Sequence, residues 1–234
     1  MKKRALMGGL TALAAAGVLA APAAKKPAPA KAAVKAAAPM AFKPAVLDLA
    51  PGETYPVELF VPSPTGKEFT GPLDFAQEKG LTVSPDPRWK GRVPGWGEKT
   101  YPKLTAANDA TGEYTLKASI GSGAAVRQST LKVRIVSPTI ELEPGVFKLT
   151  LKVTNPFETR LLNGRISISN PDRFLQDVTT REFKIEPGKS EDLVIPLPGA
   201  APVCGETYDF TLTVETYQGY KVKKTYPLAF PPHT

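Results

Sequence analysis

The chain has 234 residues, with 30 basic and 22 acidic side chains, one histidine and one cysteine. Its formal charge of +8 suggests a nucleic-acid or membrane-surface binder, but eight of the basic residues and none of the acidic ones precede Asp48, so the remainder is balanced at 22 against 22 and nucleic acid is not an expected partner. A single cysteine excludes an intrachain disulfide and a thiolate metal site, and a single histidine, the penultimate His233, leaves neither a base for a Ser-His or Cys-His nucleophile nor a zinc ligand set.

In chain order, Met1-Lys2-Lys3-Arg4 is a basic head and Ala5 to Ala21 an apolar run. Ala21-Pro22-Ala23, or the earlier Val18-Leu19-Ala20, offers small residues for cleavage. This is the pattern of a secretory signal peptide over residues 1–23. The run is too short and too weakly apolar for a permanent span, so the mature chain is expected to be exported, periplasmic or extracellular, without a transmembrane segment. Residues 24–43 are dominated by Ala, Pro and Lys, a composition that cannot bury enough apolar surface to offset its ordering entropy. A disordered tether is expected there. Its five lysines either keep a spacer soluble or touch anionic wall polymer or lipid, weakly and in a salt-dependent way.

The rest is organised around a stretch written twice. Leu47-Asp48-Leu49-Ala50-Pro51-Gly52-Glu53-Thr54 leads into Tyr55 to Val61, and Ile140-Glu141-Leu142-Glu143-Pro144-Gly145 leads into Val146 to Val153. Each is an alternating run, a Pro-Gly break and a longer alternating run, which predicts an antiparallel hairpin turning at Gly52 and at Gly145. The offset is 93, and it becomes 94 between Tyr114-Thr115-Leu116 and Tyr208-Asp209-Phe210. Two domains follow, 44–136 and 137–232. Strands are expected near 45–49, 54–61, 69–76, 80–84, 98–105, 112–120 and 125–136, then near 138–143, 146–154, 163–169, 174–185, 190–196, 206–216 and 219–230. The fold class is all-β, two tandem sandwiches of antiparallel sheets. Asp109-Ala110-Thr111-Gly112-Glu113-Tyr114 has the spacing of a tyrosine corner, and Gly205-Glu206-Thr207-Tyr208 a looser version.

The order Pro51-Gly52-Glu53-Thr54, Gly80-Leu81-Thr82-Val83, Gly97-Glu98-Lys99 and Gly112-Glu113-Tyr114 resembles the bacterial immunoglobulin-like domains found beside α-galactosidases and in cell-surface proteins. The second half follows the same plan through Val153-Thr154-Asn155-Pro156 and Glu186-Pro187-Gly188-Lys189. The resemblance implies spacer or adhesive modules. It does not extend to the insert 85–97, which is richer in Trp and Arg. Two such domains on an exported chain are also similar to periplasmic pilus chaperones, which bind subunits by strand addition. Here Gly121-Ser122-Gly123-Ala124-Ala125-Val126-Arg127 replaces their long apolar strand.

The functional candidate is the loop from Pro85 to Tyr101, with Trp89, Arg92, Trp96 and Tyr101 as its binding residues. Exposed indole faces stack on sugar rings, and Arg supplies hydrogen bonds to hydroxyls or acids. Alternatively, both tryptophans cap the open end of the sandwich. Asn170-Pro171-Asp172 with Asp177 is either a thin calcium site or an Asx-turn. Cys204 is either a small buried residue or a thiol that pairs between chains. The reading is a non-enzymatic structural or interaction module of the cell envelope, needing no cofactor or metal, whose partner is another envelope protein or a polysaccharide.

Overall fold

A computed structural model describes residues 38–76, 78–145, 148–170, 179–196 and 205–229. The expected signal peptide, most of the tether, Asp172, Asp177, Cys204 and His233 lie outside the described residues. Two immunoglobulin-like sandwiches follow one another, and no sheet mixes strands from before and after Ser137.

The first contains β1 (Ala41–Lys43), β2 (Val46–Leu49), β3 (Thr54–Pro56), β4 (Glu58–Val61), β5 (Phe69–Thr70), β6 (Leu73–Ala76), β7 (Leu81–Ser84), β8 (Arg92–Val93), β9 (Glu98–Thr100), β10 (Lys103–Ala106), β11 (Gly112–Ile120) and β12 (Arg127–Ile135). One layer is built from β1-β4-β9 and β3-β10-β7, the other from β2-β12-β11-β6. The expected strands 54–61 and 98–105 are each split, and proline gives the reason. Pro56 and Pro102 have no N–H, so the ladder narrows there to Val57 N–H donating to Pro102 C=O at 3.0 Å. Alternation drives Leu47, Leu49, Leu59, Leu104, Leu116, Leu131 and Ile135 into a shared core, each worth about 1.5–3 kcal/mol of apolar burial.

The second contains β13 (Thr139–Pro144), β14 (Lys148–Thr154), β15 (Leu162–Ser169), β16 (Thr179–Ile185), β17 (Ser190–Pro196), β18 (Thr207–Thr216) and β19 (Lys221–Ala229). Three strands, β13-β14-β17, face four, β16-β15-β18-β19. Leu149, Leu151, Val153, Phe157, Ile166, Ile168, Phe210 and Leu212 fill the space between them.

Two expectations are corrected. Residues 41–43, assigned to the tether, form β1 against β4, because Met40 and Phe42 are apolar on alternate positions and bury in the first core. The repeated stretch is a hairpin only in the second half, where β13 pairs with β14. In the first half β2 runs parallel to β12, while β3 pairs with β10. Pro51-Gly52 and Pro144-Gly145 therefore occupy different places in their sandwiches. The counterpart of the β13–β14 pairing is β1 with β4.

The Pro51-Gly52 turn instead joins the two sandwiches. Glu53 N–H donates to Ala50 C=O at 3.1 Å, with Pro51 and a positive-φ Gly52 (+77°) at the central positions of a type II turn. A side chain at position 52 would also strike Asn108 Oδ1, 2.5 Å from where its Cβ would sit. The turn sends Ala50 into the second core and buries Glu53 completely. The Glu53 carboxylate accepts from Ala50 N–H at 2.9 Å, from the Thr216 hydroxyl at 2.9 Å and from the Arg160 guanidinium. Arg160 lies on the Phe157 ring at 3.9 Å and donates through Nε to Asp48 C=O at 2.6 Å. Asp48 accepts from Arg134 Nε at 2.8 Å and Glu158 N–H at 2.6 Å. Thr54 N–H reaches Gln218 C=O at 2.9 Å. Removing one partner of a buried ion pair leaves the other charge stranded, at a cost of about 3–5 kcal/mol. Arg160→Met is therefore expected to lower the free energy of unfolding by that amount in urea titration. A loss below about 1 kcal/mol, the value of an exposed pair, would show that the junction does not depend on it.

Candidate functional site

The loop after β7 leaves the sheet because it has to. Ser84 pairs with Lys103, then Pro85 and Pro87 supply no N–H to continue the ladder. Asp86 takes over the terminal backbone groups. Its Oδ1 accepts from Arg88 N–H at 3.0 Å, an Asx-turn, and its Oδ2 accepts from Tyr101 N–H at 3.0 Å. The Arg88 guanidinium closes on the same carboxylate with Nε and Nη2, each at 3.1 Å. It also lies 5.5 Å from the Tyr101 ring centroid. The side-chain hydrogen bonds from Arg88, then its backbone N–H, hold the Asp86 carboxyl down at about 2. Asp86 is 6 % exposed, whereas Arg88 is 75 % exposed.

Between this turn and β9 lies a cleft of about 210 Å³ lined by Asp86, Arg88, Trp89, Lys99, Thr100 and Tyr101. Trp89 packs against the first core with part of its surface left open. Thr100 is buried, and its hydroxyl has no hydrogen-bond partner among the described residues, a condition that costs about 1–3 kcal/mol. Lys99 Nζ is held by Glu58 Oε1 at 2.9 Å, and the Tyr101 hydroxyl donates to Glu58 Oε2 at 3.4 Å. Their mutual hydrogen bond lowers the Glu58 pKa and raises that of Lys99.

The four residues expected to bind are thus divided. Trp89 and Tyr101 line the cleft; Arg92 and Trp96 do not. Arg92 stands on β8 opposite Thr70 and pairs with Glu68 at 2.6 Å, both side chains in solvent. Trp96 sits on the Pro94–Gly97 turn with 84 % of its surface exposed. Gly97 holds that turn against the sheet with φ +94° and with Phe60 ring carbon 2.5 Å from the position of a Cβ. The two readings of the tryptophans separate by residue: Trp89 is satellite core with one open side, and Trp96 caps nothing. Asp86, Arg88, Lys99 and Thr100 escaped the sequence reading. The adjacency Asp86-Pro87-Arg88 was the available signal, since Asp before Pro favours an Asx-turn. Among the residues expected to be structural, Tyr114 Oη donates to Thr111 C=O at 3.2 Å. Gly145 N–H donates to Lys148 C=O at 2.7 Å. Tyr208 packs against the second core, opposite Leu228.

A second cleft, of about 200 Å³, lies at the junction and is lined by residues including Val46, Tyr114, Lys132, Arg134 and Glu158. Two of these, Arg134 and Glu158, are ion-paired across the joint at 2.6 Å, so the cleft belongs to the joint. Among the described residues no helix is long and apolar enough to cross a membrane, and no three His, Cys, Asp or Glu side chains gather to hold a metal.

No family model matches the sequence, and no curated protein matches it. Solved structures that align with it include the E. coli chaperone DraB, at 11 % identity over 80 % of this chain and 96 % of that one, TM-score 0.29. Domains 5–6 of the S-layer protein SbsC align at 14 % identity over 82 % and 97 %, TM-score 0.30. The IG1+IG2 portion of DIP-gamma aligns at 9 % identity over 80 % and 94 %, TM-score 0.29.

Because the folded Asp86 carboxyl sits below the unfolded value of about 3.9, its contribution to stability is full above that value and is lost as pH falls through about 2. Asp86→Asn is therefore expected to lower the urea midpoint at pH 6, and the gap to the native chain should close by about pH 2. A gap independent of pH would remove the ion pair from the account of the loop. For the tryptophans, Trp89→Phe, which keeps the exposed Trp96, should emit further to the red and be quenched by iodide more strongly than Trp96→Phe.

Proposed function

We propose that this chain is an exported, non-enzymatic module of the cell envelope, with domains 44–136 and 137–232 fastened into one body that holds the 85–101 loop out to a partner. The observation that carries this reading is the junction around Glu53 and Arg160. A flexible spacer has no use for a fully buried carboxylate bridged to the next domain. A joint filled with side-chain hydrogen bonds fixes the orientation of everything beyond it. The chemistry of the loop supports the non-enzymatic part. Asp86 accepts four hydrogen bonds and stays ionised far below neutral pH, which suits an anchor and not a proton carrier.

Strand addition is less well supported. The apolar end of β12, Lys132–Ile135, is already paired with β2 on one side and β11 on the other. Only the polar start, Arg127-Gln128-Ser129-Thr130, keeps an edge without β2, and it offers an incoming strand no row of apolar pockets.

The test is made on the full chain expressed in a bacterial host. The expected result is a mature N terminus near Ala23, recovery outside the cytosol, and co-sedimentation of the purified mature protein with isolated envelopes. An uncleaved chain in the cytosol, or a mature chain that stays in the supernatant, overturns the proposal.

A further inference from the structure

Resting on the reading of the 85–101 loop as the interaction site, we propose that the cleft between β9 and the Asp86–Trp89 turn binds one ring of an uncharged polysaccharide. Its volume of about 210 Å³ falls below the roughly 300–1,000 Å³ of pockets that enclose drug-sized molecules. It fits a single unit of a longer polymer.

The lining selects the chemistry. The two bases that line it are each paired with an acid, Arg88 with Asp86 and Lys99 with Glu58, so the cleft offers a polyanion no unpaired cation. A hydroxyl-rich ligand needs donors and acceptors in fixed directions together with a flat apolar face, and all three are present. Arg88 is clamped by Asp86 through Nε and Nη2, and its Nη1 takes no partner among the described residues. Glu98, exposed at the rim of the cleft, supplies carboxylate acceptors. The half-buried Trp89 supplies the apolar face.

The backbone of β9 contributes as well. Val57 N–H bonds Pro102 C=O, and Leu59 and Val61 face Thr100 and Glu98. By antiparallel alternation the N–H and C=O of Lys99 therefore turn away from β4, toward the cleft. An extended peptide is the poorer occupant. β9 is three residues long and Asp86 already holds the Tyr101 N–H, so too little edge remains for a strand to join.

The inference is tested by affinity electrophoresis of the mature chain through gels containing dextran, laminarin or galactomannan, against gels containing polygalacturonate or dextran sulfate. Retardation by at least one uncharged polymer is expected, unaffected by added salt. Arg88→Ala and Tyr101→Ala should weaken it about tenfold or more. Trp96→Ala, outside the cleft, should change it by less than about twofold. Glu98→Ala is the discriminating variant: it removes an exposed acceptor at the rim, so the thermal midpoint should stay while affinity falls about fivefold or more. Three results would each overturn the proposal. One is retardation only by the anionic polymers, abolished by salt. Another is no retardation by any uncharged polymer, with or without retention on an extended-peptide array. The third is a Glu98→Ala chain of unchanged midpoint and unchanged affinity. If these arise while the native chain still sediments with envelopes, the glycan assignment fails and the module reading stands.

Discussion

The Glu53 carboxylate is the group on which the arrangement of the two sandwiches depends. It is fully buried, and an uncompensated charge in that position would cost several kcal/mol. Compensation comes from three sources far apart in sequence: its own turn through Ala50 N–H, β18 through the Thr216 hydroxyl, and the loop after β14 through Arg160. The last two cannot be met unless the second sandwich docks in one orientation. The gain is specificity more than raw stability, because a well-packed apolar joint of the same volume would hold as well but would tolerate sliding. Asp48 repeats the arrangement one strand away. Leu47 and Leu49 point into the first core, while Asp48 between them faces Arg134 and the backbone of Glu158.

Asp86 solves a related problem with the opposite exposure of its partner. At the junction the arginine is buried with its carboxylate. At the loop the carboxylate is buried and Arg88 stays in water. In both places the acid first satisfies backbone N–H groups of a chain that has left its ladder, then orients a guanidinium. The difference lies in what the guanidinium meets next: the Phe157 ring inside the joint, or open solvent beside Trp89 and Tyr101. The same chemistry therefore yields a closed contact in one case and an available one in the other.

The strands were legible because a half-buried strand must alternate, and alternation is visible in fifteen residues. Their interruptions at Pro56 and Pro102 were legible in principle too, since each proline removes one donor at a known place. The repeat misled for a physical reason. The similarity at an offset of 93 records shared alternation and shared turn chemistry. Pairing depends instead on which neighbour covers each edge, and the extra strand β1 had already taken the place beside β4. The junction could not be read at all: Glu53 and Arg160 are 107 positions apart, and nothing local marks a glutamate after Pro-Gly as buried. At the loop, composition marked the region, and residue type marked Arg92 and Trp96, which stand outside the cleft. Exposure and fastening, which decide what a side chain can hold, belong to tertiary structure.

The edges of the second sandwich give a reason for placing recognition in a loop. Arg181 on β16 donates to Val194 C=O on β17 at 2.8 Å, tying up a carbonyl of an outer strand. β19, the outer strand of the other sheet, carries Lys221, Lys223 and Lys224 along its exposed positions. Charges and blocked carbonyls on outer strands discourage a further strand from joining. Outer strands protected in this way are poor docking templates, which leaves side chains and short stretches of backbone displaced from the ladder. The turn that Asp86 holds beside β9 is such a stretch.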